Sequence, residues 1–190
     1  ATWVLRDVLH LHPGIAELTE VVDLGAGPGS ASLATLFSLP REVDRSYALH
    51  DRSRSALKVA RRLLERCSAG GGVKSIQTTV APLPGLPAMP RRALVWLSMV
   101  LNELEAGSRR QLDRGGFLSR LAERLEPSSV VLVMEPALRG PGRNLLALHD
   151  AAVACGDWRV IAPCTHHLSC PLLRERGRSQ PRSWLRAHRC

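Results

Sequence analysis

Seven residues, Asp23-Leu-Gly-Ala-Gly-Pro-Gly29, constrain this chain more than any other stretch. They are entered from Val21-Val22-Asp23-Leu24, a short run stopped by glycines, which reads as a buried parallel strand. They open into Gly29 to Ser38, which reads as a helix closed by Pro40. Glycine lets the backbone turn sharply and bring its atoms against a ligand. Pro28 is preset for a helix start, where its missing N–H costs nothing, and the free N–H groups there can receive ligand oxygens. The sequence therefore predicts a small-molecule site on the strand–loop–helix turn of an α/β fold, built on Gly25, Ala26, Gly27 and Gly29.

The spacing narrows the ligand. A dinucleotide fingerprint reads G-x-G-x-x-G and cradles a pyrophosphate. Here the spacing is G-x-G-x-G, and Ser30 stands where that fingerprint has its third glycine. A nicotinamide cofactor is disfavoured. S-adenosylmethionine has no phosphates and lays its amino acid and ribose portions against such a loop. Two acids flank it. Asp23 either orients the loop or meets the cofactor's ammonium group. Asp51, at the end of the second strand, either takes both ribose hydroxyls or caps the helix after it.

The remaining pattern alternates. Thr2 to Leu11 predicts a helix ended by His12-Pro13-Gly14, and Tyr47 to His50 a strand. Ser53 to Cys67 predicts a helix with Ala56, Leu57, Ala60, Leu63 and Leu64 on one face, broken by Gly70-Gly71-Gly72. Strands are expected at Val73 to Val80, Ala93 to Val100, Val130 to Met134 and Trp158 to Ala162. Helices are expected at Arg109 to Leu125, where Gly115-Gly116 weakens the pattern, and at Asn144 to Cys155. Ala81 to Pro90 is a proline-rich loop. This order predicts a mostly parallel sheet with helices on both faces; joined to the glycine loop it reads as a Rossmann-like class I S-adenosylmethionine-dependent methyltransferase fold.

A chain of 190 residues with 45% apolar content can bury one sizeable core. No apolar run approaches the roughly 20 residues that span a bilayer, and no secretory signal pattern is visible. The net charge of +9 is nearly all arginine, Lys58 and Lys74 being the only lysines. Such a balance favours a polyanionic partner such as nucleic acid, and arginine suits phosphate recognition. A GC-rich genome that encodes arginine in place of lysine accounts for the composition equally well. Cys67, Cys155, Cys164, Cys170 and Cys190 are an odd, dispersed set, a poor disulfide framework that points to a reducing compartment.

Several segments together resemble one family. They are Val22 to Gly29, Asp51-Arg52-Ser53, Val100-Leu101-Asn102-Glu103-Leu104, Glu135-Pro136, Ala162-Pro163-Cys164-Thr165-His166 and Cys170-Pro171. The chain resembles the Rsm-type ribosomal small-subunit methyltransferase-like family over roughly residues 15 to 172. The glycine loop is shared by many methyltransferases; the Leu-Asn-Glu-Leu and Ala-Pro-Cys…Cys-Pro segments are far more specific. The resemblance implies a seven-stranded type of core, a cysteine-bound [4Fe-4S] cluster, and contact with the small ribosomal subunit and its rRNA. It implies a mitochondrial matrix or bacterial cytoplasmic setting. It also divides the chain into residues 1–20, the end of an N-terminal helical region; 21–162, the methyltransferase-like domain; and 163–190, a Cys- and Arg-rich extension.

In such a fold the end of the fourth strand faces the transferred methyl group, so Asn102 and Glu103 are candidate catalytic residues. Alignment of the acceptor and acceptance of a proton are the roles open to them. A local strand-ending hydrogen bond and an ion pair with an arginine are the structural alternative. No Asn-Pro-Pro-Tyr or Pro-Cys nucleophile motif is present, and the acceptor atom is not specified. By resemblance, Cys164 and Cys170 match the first two cluster ligands. The family's third cysteine usually follows a tryptophan, but Trp184 is followed here by Leu185, leaving Cys190 as the substitute. Zinc held by Cys164, His166 or His167, and Cys170 is the alternative metal, and two unliganded thiols the plain one. Arg174, Arg176, Arg178, Arg182, Arg186 and Arg189 crowd the end of the chain, with Trp184 among them. They suit either an RNA backbone with one stacked base or a solvated tail. The expected function is a methyltransferase-like protein of small ribosomal subunit biogenesis. It is either an rRNA methyltransferase or a non-catalytic assembly factor that retains the fold.

Overall fold

The computed structural model describes residues 1–83, 86–101, 113–164 and 166–174. Five strands form one parallel sheet: β1 (Glu20–Leu24), β2 (Arg45–Asp51), β3 (Val73–Val80), β4 (Leu94–Ser98) and β5 (Val130–Met134), in the order β3-β2-β1-β4-β5. The order reverses between β1 and β4. Ligands of open α/β sheets bind at such a reversal, outside the carboxyl ends of the strands, and the glycine loop leaves β1 at that end.

Side chains alternate across the sheet and so build two core layers. Val21, Tyr47, Leu49 and Trp96 face α1 (Thr2–Leu11), α2 (Ser30–Ser38) and α3 (Arg54–Cys67), meeting Leu5, Leu36, Leu57, Ala60 and Leu64. Val22, Leu24, Val95 and Leu97 face the other way, against Phe117 and Leu121 of α4 (Arg114–Ala122). A third cluster joins Leu101 and Leu118 to Leu148 and Ala152 of α5 (Arg139–Cys155). Trp96 donates its indole N–H to Thr35 Oγ1 at 2.9 Å, so the one polar atom of the largest core side chain is satisfied.

The structure departs from the sequence expectation at three places. Trp158 to Ala162 is not a strand. Gly156, in the left-handed conformation at φ 75°, ends α5, and Trp158 and Val160 then pack against the α5 cluster. Their alternation reflects packing, not pairing, and no strand lies on the outer edge of β5 among the described residues. Of the seven strands implied by resemblance, five lie among the described residues. Next, α5 starts at Arg139, earlier than Asn144, because Pro141 falls in its first turn, where no N–H is required. Lastly, α4 runs only from Arg114 to Ala122, its N-cap Asp113 accepting from the Gly116 N–H at 3.1 Å; residues 109–112 of the expected helix lie outside the described residues.

Buried Arg45 fixes how β1, β2 and the preceding turns meet. Its guanidinium donates to the carbonyls of Ala16 (2.6 Å), Leu18 (3.0 Å), Pro40 (2.8 Å) and Val43 (2.9 Å). It is 1% exposed, and burial lowers its pKa, but an arginine stays charged at any physiological pH. Replacing it with a residue of similar length and no donors strands those carbonyls. Arg45→Met is expected to destabilise the protein by roughly 3 kcal/mol, the scale of lost hydrogen bonds to a charged group, read as a lower urea midpoint with an unchanged slope.

Candidate functional site

The glycine loop is a sequence of left-handed turns held from two sides. Gly25, Gly27 and Gly29 have φ values of 77°, 51° and 85°, which L side chains rarely adopt. The N–H groups of Gly25 and Ala26 both donate to the carbonyl of His50, at 2.8 and 3.0 Å, tying the loop to the end of β2. Gly29 N–H returns to Ala26 O at 2.8 Å, and α2 begins at Ser30.

The three glycines have different reasons to be glycine. A Cβ at Gly25 would collide with the Val100 side chain, and one at Gly29 would lie 2.9 Å from Ala60 Cβ. Those positions serve packing against the β4 end and α3. At Gly27 a Cβ would meet nothing within 4 Å. Gly27 therefore borders open space at the mouth of the loop, where a ligand can approach the backbone.

Asp51 locks the loop in place. Its Oδ2 accepts from the Gly27 N–H at 2.8 Å and its Oδ1 from the Ser53 N–H at 2.7 Å. Ser53 is the N-cap of α3, its hydroxyl accepting from Ala56 N–H at 3.3 Å. One carboxylate thus joins the glycine loop, the end of β2 and the start of α3. The helix cap itself is Ser53, and each Asp51 oxygen accepts one backbone N–H.

Asp23 is placed differently from Asp51. It is fully buried, and its Oδ2 accepts from the Ser32 hydroxyl at 2.7 Å and the Ser32 N–H at 3.2 Å. These bonds anchor the first turn of α2 to β1. Its Oδ1 has no partner among the described residues. Burial raises its pKa to about 6; the Ser32 bonds lower it, and the Asp51 charge adds a smaller upward push.

Two features of the β4 edge were not legible in the sequence. Met99 adopts φ 59°, a left-handed conformation uncommon in a non-glycine residue, with its N–H donating to Met134 O at 2.7 Å. This turn brings Val100 against Gly25. Leu101 N–H then donates to Glu135 Oε1 at 2.8 Å, joining the start of the Leu-Asn-Glu-Leu segment to the Glu-Pro that follows β5. Nothing in the residue types of Ser98-Met99 announces a positive φ. Asn102 and Glu103, the candidate catalytic pair, lie outside the described residues.

A second group forms where α5 meets the segment after residue 162. Cys164 is half-buried and Cys170 buried. Asp150 Oδ1 accepts from the Cys170 N–H at 2.7 Å and lies 3.1 Å from His149 Nδ1. The His149 ring stands edge-on to His166, centroids 6.5 Å apart. Burial first, then the neighbouring Cys170 and Asp150, push the Cys164 thiol upward. The structure thus brings the two cysteines to one place. Among the described residues no three Cys, His, Asp or Glu side chains are arranged to hold a metal ion. Cys190 lies outside the described residues, as do all the clustered arginines beyond Arg174.

A cleft of about 470 Å³ lies elsewhere, over β2 and β3, with Ser46, His50, Ser75, Gln77 and Thr79 among its lining residues and none of the loop glycines. The carboxyl-edge position of the loop, not this cleft, matches the binding crevice of a parallel sheet. His50 is buried, and burial lowers its pKa.

Solved structures share this architecture. An S-adenosylmethionine-dependent methyltransferase from Leishmania major is 20% identical, covering 70% of this chain and 48% of its own, with a TM-score of 0.51. A StiE O-MT fragment, its residues 942–1257, is 15% identical, covering 80% of this chain and 50% of its own, with a TM-score of 0.50. The chain spans about half the length of these structures. They show the class I S-adenosylmethionine-dependent methyltransferase fold. No curated protein matches the sequence. Residues 13–187 match the family described as mitochondrial small ribosomal subunit Rsm22.

The Asp23 carboxyl makes the site pH-sensitive. A carboxyl whose folded-state pKa is raised binds more protons folded than unfolded between its ordinary value and the raised one. Stability therefore falls as pH rises from about 4 to about 6 and levels off above. The Asp23 contribution to this fall is roughly 3 kcal/mol. Urea unfolding of Asp23→Asn and of the parent, compared at pH 4 and pH 7, should show that slope in the parent and its loss in the variant. Equal slopes would show that Asp23 does not titrate in this window.

Proposed function

The chain belongs to the mitochondrial small ribosomal subunit Rsm22 family, and from that membership we propose that it is an S-adenosylmethionine-binding, methyltransferase-like factor in the biogenesis of the small ribosomal subunit, acting on its rRNA. The observation that carries the cofactor half of this reading is Gly27. It is a left-handed glycine on the carboxyl edge of the sheet whose Cβ direction is open, while Asp51 holds its N–H. Gly25, Ala26, Gly27 and Gly29 hold the amino acid and ribose side of the cofactor, and Asp51 takes the ribose hydroxyls with the lone pairs its two amide bonds leave. Asp23 supports the loop from below. When bound, S-adenosylmethionine supplies an electrophilic methyl group on a sulfonium. Asn102 and Glu103 follow directly on Leu101 and are the residues proposed to orient an acceptor.

Membership supports a mitochondrial matrix setting, or a bacterial cytoplasmic one for relatives. No helix among the described residues is long and apolar enough to cross a membrane.

Gly27→Asn separates binding from folding, since asparagine tolerates the left-handed region better than other side chains. The variant is expected to keep its melting temperature within a few degrees and to bind S-adenosylmethionine at least tenfold more weakly by calorimetry. Unchanged affinity in the folded variant removes the loop assignment. Transfer of a labelled methyl group from the cofactor to small-subunit RNA then distinguishes an enzyme from a factor that only retains the site.

A metal centre on Cys164 and Cys170, completed by Cys190 and a further ligand, is part of the same reading. The anchoring of the Cys170 N–H on Asp150, six residues after Cys164 in the same segment, supports it. The [4Fe-4S] form is favoured over zinc, because thiolates are the shared ligand and the family implies the cluster. Protein purified without oxygen should be brown and should lose that colour on Cys170→Ser. Colourless protein with stoichiometric zinc favours the alternative, and neither metal removes both.

A further inference from the structure

We propose that the solvent face of α3 is a binding surface for an RNA phosphodiester backbone, one that leads to the cofactor edge. This rests on the reading that the protein acts on ribosomal RNA, and it assigns the surface that does so.

The buried face of α3 is apolar, with Leu57, Ala60 and Leu64 in the core. Its exposed face carries Arg54, Lys58, Arg62 and Arg66, each four residues from the last. Residues at that spacing lie one above another, about 6 Å apart, so the four cations form one stripe along the helix, roughly 18 Å long at 1.5 Å per residue. The one acid of the helix, Glu65, is taken by Arg61 at 2.7 Å. No acidic partner of the four stripe residues is present among the described residues. Like charges at this spacing destabilise a helix. The stripe therefore works against the fold in isolation and is relieved by a polyanion.

Both ends of the stripe carry further features. Arg54 follows Asp51 by three residues, and Ala60 packs against Gly29, so the N-terminal end starts at the cofactor loop. At the C-terminal end, Arg41 donates to Cys67 O at 3.3 Å and lies over the Phe37 ring, 5.1 Å from its centroid. Phe37 is 59% exposed. An exposed aromatic beside a row of cations suits a strand whose phosphates meet arginine and whose unpaired base stacks. Besides Phe37 on α2, the exposed apolar side chains of α3 are Val59 and Leu63, too small an area to enter a bilayer.

The test is filter binding of small-subunit rRNA fragments over a range of salt. The parent is compared with Arg54→Gln/Lys58→Gln/Arg62→Gln/Arg66→Gln, with Phe37→Ala, and with a control, Arg6→Gln/Arg91→Gln/Arg92→Gln/Arg159→Gln, that removes equal charge elsewhere. The stripe variant is expected to lose at least tenfold in affinity and to flatten the slope of log affinity against log salt by about three, near one counterion per contact. The control should change both far less. Phe37→Ala should weaken binding about fivefold or more with the slope intact, as for a lost stacking contact. The stripe variant should melt no lower than the parent, since it removes like-charge pairs. Equal losses in stripe and control variants, or none in either, would overturn the proposal. So would loss of binding to phosphatidylserine vesicles with RNA affinity untouched, which would assign the stripe to a membrane surface. A parent that binds no rRNA at all would instead overturn the ribosomal reading beneath it.

Discussion

The Asp51 carboxylate is the interaction on which the site depends. It accepts one N–H from the glycine loop and one from the residue that caps α3, so the loop, the end of β2 and the start of α3 are fixed to one group. Hydrogen bonds to an ionised acceptor are about twice as strong as neutral ones. The loop can therefore pass through consecutive left-handed turns, each open to glycine's wide conformational freedom in the unfolded chain, and still present one geometry. The paired N–H groups of Gly25 and Ala26 on the His50 carbonyl hold the other side. Sequence alone offers Asp51 as a ribose partner or as the cap of the following helix; in the structure the cap is Ser53, and Asp51 binds the Gly27 and Ser53 N–H groups.

Two buried ionisable groups brace this arrangement by opposite means. Arg45 is surrounded by carbonyl oxygens that satisfy its donors, so its charge is retained at small net cost. Asp23 has only Ser32 and leaves Oδ1 without a partner among the described residues, so burial dominates and its proton is held more tightly. An apolar residue at position 23 would remove the cost but would also free the first turn of α2 from β1. The retained acid is understandable as an anchor whose expense is confined to the alkaline side of its titration.

Much of this was legible in the sequence because it is written in periodicity and punctuation. The run before Gly25, the glycine spacing and the heptad-like face of α3 gave the strand, the turn and the helix in place, and Val130 to Met134 matches β5 to the residue. Trp158 to Ala162 misled because alternation is the same signal whether the apolar residues face a neighbouring strand or a helix; only the absent ladder tells them apart. The left-handed Met99 and the Glu135–Leu101 bond were hidden for a related reason. They depend on where β4 and β5 end relative to each other, a register that no local pattern encodes. The two cysteines were visible as a pair, but the histidine and aspartate beside them come from α5, distant in sequence.

These contacts also bear on how one edge of the sheet would serve both the small ligand and the polyanion proposed for it. The helices α2 and α3 both begin beside the glycine loop, with the Asp51 carboxylate between them. Moving outward along α3, the polar groups change from backbone amides, which recognise a compact ligand at short range, to long cationic side chains, which act over about 8–10 Å at ordinary salt. A polyanion drawn in along the helix would therefore meet the precise, short-range part of the site last. Gly29 lies directly against Ala60, so the loop and α3 meet in van der Waals contact as well as through Asp51.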